Sequence, residues 1–126
     1  MKRFWIGILV LSVLLVSGWA VAFFIERCHE PISRNLAQAA QIASDGKLEQ
    51  AIRLAENAHT EWLRCRDFTA AFADHSVLEQ IDAIFAEIQV YAAAEDSLSF
   101  SAACAHLAEL SNAVAESHCP KWQNLL

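Results

Sequence analysis

The sequence predicts an all-α protein: one N-terminal transmembrane helix followed by a small antiparallel bundle of three to four helices. Three observations predict it. Phe4 to Ile25 reads FWIGILVLSVLLVSGWAVAFFI with no charged residue. Neither Gly nor Pro occurs between Lys47 and Cys119. Over that stretch the apolar residues recur at helical spacing and never in the strict alternation of a half-buried strand.

The 126 residues suit one domain. Nine Lys and Arg stand against fifteen Asp and Glu, a formal net charge of −6, which disfavours a nucleic-acid partner. Three Gly and two Pro leave little material for a Gly-rich phosphate loop. Hydrophobic content is 56 %, above the roughly 45–50 % of an ordinary soluble domain. The excess lies in the first 25 residues.

As a helix, residues 4–25 extend about 33 Å, enough for a hydrocarbon core of about 30 Å. Trp5 stands near one end and Phe23 and Phe24 at the other, where aromatic rings favour the headgroup boundary. Lys2 and Arg3 precede the run, which places residues 1–3 in the cytoplasm and residues 26–126 outside as an extracytoplasmic bundle. Ala20-Val21-Ala22 has the form of a signal-peptidase site. The apolar run continues past it through Phe23-Phe24-Ile25, which favours a retained signal anchor.

Four helices are expected beyond the span, at about 32–44, 47–73, 76–94 and 97–118. Pro31 either starts the first or kinks a continuous helix. Asp45-Gly46 ends it, with Gly free to adopt the left-handed terminal conformation. Small residues Ala39, Gly46, Ala51, Ala55 and Ala58 resemble the spacing of one tetratricopeptide hairpin, but the pattern does not recur 34 residues on and marks a simple hairpin. The second helix carries the stripe Leu48, Ala51, Ala55, Ala58, Trp62, Cys65, Phe68, Phe72, and Trp62 and Phe72 are expected to pack. Ser76 and Glu79 have capping-box spacing, so the third helix starts there or at Asp74. Asp96-Ser97 starts the last one. Pro120 stops it near His118 and leaves Trp122 in a tail suited to the headgroup boundary or to covering the bundle end.

Short connections make neighbouring helices antiparallel. Cys28, His29, Asp74, His75, His118 and Cys119 then gather at the membrane-proximal end, with Cys65 and Cys104 deeper. Cys28 with Cys119 is the better-placed candidate disulfide, and Cys65 with Cys104 the less comfortable one. Cys28, His29, His75, His118 and Cys119 form an alternative metal-ligand set, although no C-x-x-C spacing supports it. His75 beside a capping Asp, and His118 at a helix C-terminus, have structural explanations. No G-x-S-x-G or H-E-x-x-H motif occurs, so neither a catalytic residue nor a cofactor is expected.

The membrane helix, Trp62, Asp74-His75, and the following Leu78, Ile81, Phe85, Ile88 and Tyr91 give the chain its likeness to a known family. Together with the ending His118-Cys-Pro-Lys-Trp-Gln-Asn-Leu-Leu126, they resemble domain-of-unknown-function family 4363, small membrane-anchored helical proteins of spore-forming Gram-positive bacteria. The resemblance implies an all-helical extracytoplasmic domain and supplies no activity. It carries over no role for the four cysteines. The expected function is that of a non-catalytic interaction or structural module, with the lipid bilayer and another membrane or envelope protein as partners. The alternative is a Cys/His metal-binding or redox-sensing protein.

Overall fold

The computed structural model describes residues 1–118, which form four helices and, among them, no strand. They are α1 (Lys2–Ser44), α2 (Leu48–Ala70), α3 (His75–Ala93) and α4 (Ser97–His118). The apolar run and the first expected bundle helix are therefore one element. α1 has 43 residues and extends about 64 Å.

Pro31 sits inside α1 without ending it. A proline in a helix interior removes one backbone hydrogen bond and costs about 3 kcal/mol. Burial on both sides of it offsets that cost. Ile25, His29, Ile32, Ser33, Leu36, Ala39, Ala40 and Ala43 are buried along a single stripe of α1. Residues 1–20, by contrast, are all exposed. Ser12 and Ser17 donate their hydroxyls to the carbonyls of Ile8 and Leu14 in their own helix. That satisfies the two hydroxyls of this apolar segment within its own helix.

α1 packs against α2 and α4, while α3 lies across the bundle on α4 and α2. Small residues line the α1 contacts: Ala39, Ala40 and Ala43 on α1, Ala51, Ala55 and Ala58 on α2, Ala103 and Ala108 on α4. Small side chains let helix axes approach closely. Larger residues from α3, among them Leu78, Ile81 and Phe85, fill the remaining space with Trp62 and Phe100. We call the end where the apolar segment leaves the bundle its base.

The turns follow from backbone chemistry. Gly46 adopts φ +85°, and the amides of Gly46 and Lys47 donate to the carbonyls of Ala43 and Ile42, closing α1. The α3–α4 turn repeats this pattern with Glu95 at φ 55°, a conformation that Gly takes at lower cost. Asp74 caps α3, its carboxylate accepting from the Ser76 amide at 3.2 Å. Of the two expected starts, Ser76 and Asp74, the structure takes Asp74; Ser76 lies in the first turn of α3 and Glu79 beyond it. Asp96 accepts from the Ser99 amide, and hydrogen bonding from the Ser99 side chain, then from this amide, lowers its pKa below the ordinary carboxylate value.

Trp62 is fully buried, and its indole donates to Asp82 Oδ1 at 2.7 Å. Arg66 Nε donates to the other oxygen of the same carboxylate at 2.9 Å, so Asp82 ties α3 to two successive turns of α2. Phe72, expected to pack, is 48 % exposed because α2 ends two residues before it. Truncating a buried Trp costs roughly 3–5 kcal/mol, so Trp62→Ala should lower the denaturant midpoint of the detergent-solubilised protein strongly. Leu63→Ala, at an exposed neighbour, should stay within about 0.5 kcal/mol of the parent.

Candidate functional site

The base of the bundle holds its concentration of buried polar chemistry. His29 follows Cys28 on α1 and lies on the buried stripe between Ile25 and Ile32. It is 1 % exposed. Its Nδ1 lies 3.0 Å from Ser111 Oγ on α4, and its Nε2 3.3 Å from Thr69 Oγ1 on α2. A neutral imidazole has one donor and one acceptor nitrogen, and a hydroxyl serves as partner to either. The ring therefore bridges three helices, 5.8 Å from the indole of Trp62. One turn further along α1, Ser33 Oγ donates to the Ala108 carbonyl at 3.3 Å. Among the described residues, no buried side-chain nitrogen or oxygen is left without a hydrogen-bond partner.

Beside this network, Cys28 is joined to Cys65 by a disulfide with Cα atoms 6.1 Å apart. The candidate bridge from Cys28 to Cys119 is thus replaced by one to α2, and Cys119 lies outside the described residues. The cause is the continuity of α1. With no break at Pro31, Cys28 stays within the bundle, level with Cys65 on the antiparallel α2. Cys65 is therefore not free to pair with Cys104 either. Cys104 is a free thiol on α4 with 0 % exposure, and burial pushes its pKa up to about 12.

Of the alternative metal set Cys28, His29, His75, His118 and Cys119, the His118 side chain and Cys119 lie outside the described residues, and the other three are not brought together. Cys28 is spent in the disulfide, His29 is held between two hydroxyls, and His75 is exposed at the start of α3. Among the described residues no group of three or more His, Cys, Asp or Glu side chains is placed to hold a metal ion. Trp62 and Asp74 occupy the structural positions given above, and Trp122 lies outside the described residues.

Sequence reasoning offered His29 only as a metal ligand, and missed its burial, its partners Thr69 and Ser111, and Asp82. For His29 a signal existed: Ile25, His29, Ile32 and Leu36 keep helical spacing through Pro31. At the distal end, α2 and α3 leave a groove of about 200 Å³. His59, Phe85, Ile88 and Gln89 line it, and the His59 and Phe85 rings lie 4.8 Å apart.

These features define a small all-α protein with a helix long and apolar enough to cross a membrane, continuing into a disulfide-bonded helical bundle. A family model described as a domain of unknown function, DUF4363, matches residues 19–125, and the chain belongs to that family. No curated protein and no solved structure matches it.

Two outcomes check the site. Ser111→Ala removes one partner of a buried ring nitrogen and should destabilise by about 1–3 kcal/mol in denaturant unfolding. Cys104, buried and held as the thiol, should resist iodoacetamide in the native protein at neutral pH and react on unfolding, as read by peptide mass spectrometry.

Proposed function

We propose that the protein is a single-pass membrane protein whose bundle stands outside the cytoplasm. There it acts as a non-catalytic structural or interaction module for another membrane or envelope protein. The observation that carries the reading is the unbroken passage of α1 from a wholly exposed apolar segment into the bundle core. Exposed apolar surface on this scale needs a nonpolar solvent, and residues 4–25 have the length a bilayer requires. The Ala20-Val21-Ala22 sequence lies within this helix, next to packed residues, which favours retention over cleavage.

The disulfide supports the location. Such bonds persist in oxidising compartments and are rare in the cytosol. Lys2 and Arg3 before the span favour a cytoplasmic N-terminus. The bridge closes a loop with a sequence separation of 37, for which stabilisation of roughly 2–4 kcal/mol is typical. The Ser111 and Thr69 hydroxyls do lie against the His29 ring, but all three residues are 1 % exposed and closed off from any substrate, which favours a structural role for them.

A reporter active only in the cytoplasm should be silent when fused to the C-terminus. Cells quenched with an alkylating agent and digested without reductant should yield the Cys28–Cys65 linked peptide. An active cytoplasmic reporter would overturn the orientation, and a mature N-terminus at Phe23 would overturn the anchor. A Cys28–Cys65 bond whose occupancy follows the external redox potential would favour redox sensing over a structural role.

A further inference from the structure

We infer that the base of the bundle is itself a lipid-contacting surface: the α2–α3 turn, with Phe72 at its tip, enters the headgroup–acyl boundary of the bilayer that α1 crosses. The inference rests on the single-pass reading above.

Two contacts fix how far α2 reaches along α1. Cys28 is bonded to Cys65, and one turn towards the N-terminus the rings of Phe24 and Phe68 lie 4.3 Å apart. The helices are antiparallel, so each step along α2 beyond Phe68 is a step back along α1. Phe72, one turn on, comes level with Ala20 and Val21. The burial pattern agrees, since Val21 and Ala22 are half-buried while residues 1–20 are exposed. α4 reaches a similar depth. The pairs Ala40–Ser101, Ser33–Ala108 and His29–Ser111 set its register and bring the end of its backbone helix level with about Phe23.

This register shortens the apolar segment that stands clear of the bundle. Residues 4–20 extend only about 25 Å, against a hydrocarbon thickness of about 30 Å. The remaining ~5 Å is supplied by residues packed against the base, or the bilayer must thin at a free-energy cost. Drawing the base into the boundary removes the mismatch.

The surface there suits that position. Ala70-Ala71-Phe72-Ala73 carries no charge. Phe23, Phe24 and Phe72 are each about half exposed, and Phe68 links the latter two, its ring 5.3 Å from that of Phe72. Arg27 lies over the Phe23 ring at 5.0 Å, a cation where headgroup phosphates would be. Exposed Asp74 and His75 follow the turn at once and limit insertion to the boundary.

The test uses the full chain in phosphatidylcholine vesicles with bromines placed either near the headgroup or near the chain ends. The parent carries Trp5→Phe, Trp19→Phe and Trp122→Phe, which leaves buried Trp62 as a constant background, and Phe72→Trp is added to it. Circular dichroism of both proteins confirms that helix content is kept. The expected result is loss of the added emission with shallow bromines and a smaller loss with deep ones. Unquenched added emission would overturn the inference. A Trp122→Phe protein, which keeps Trp5 and Trp19, then separates the two ways of failing. If Trp5 and Trp19 are quenched there, the span stands and only the lipid-contacting base is lost; if they are not, the single-pass reading falls with it.

Discussion

The buried stripe of α1 between Ile25 and Ala43 is the surface on which both α2 and α4 pack, and α3 joins chiefly through those two. The bundle therefore has no core without the second half of a helix whose first 19 residues, up to Ala20, stand exposed. Removing the N-terminal segment at Ala22 would leave that stripe intact but strip the helix of its preceding turns. The freed amides near Phe23 would then need water or caps, at the end where the disulfide and His29 are placed.

Two kinds of fastening hold α1 in the bundle, and they sit at different heights. Near the base are the Cys28–Cys65 bond and the hydrogen bonds of His29 to Ser111 and Thr69. Towards the distal end the contacts are short-range packing of alanines, with Ser101 donating to the Ala40 carbonyl at 2.7 Å. The base thus combines covalent and polar constraints around the proline, where the backbone ladder of α1 is weakest. Asp82 does comparable work between α2 and α3 by accepting from Trp62 and Arg66 together.

Much of the fold was legible because helix boundaries here have local chemistry. Asp74, Asp96 and Gly46 mark ends by capping or by positive φ, and the helices fall within a few residues of the expected spans. The fusion of the first two elements was not legible. Pro31 has the same local signature whether it begins a helix or sits inside one, and only tertiary burial on both sides decides. That uncertainty carried over to the cysteines, since the partner of Cys28 depends on whether it lies within the bundle or above it. Asp82 shows a different limit. A carboxylate on an apolar-striped helix that also carries Glu79 and Glu87 looks like solvated surface, and its role appears only when Trp62 and Arg66 are brought to it from α2.

On the single-pass reading proposed above, α1 continues unhinged from the bilayer as the spine of the bundle and acts mechanically as a lever. Transmembrane helices change tilt when bilayer thickness or neighbouring helices change. Because Pro31 is clamped on both sides, a tilt is transmitted rather than absorbed. The distal turns at Gly46 and Glu95 lie about 30 Å from the base along α1, so a rotation of about ten degrees displaces them by roughly 5 Å, about one turn of helix.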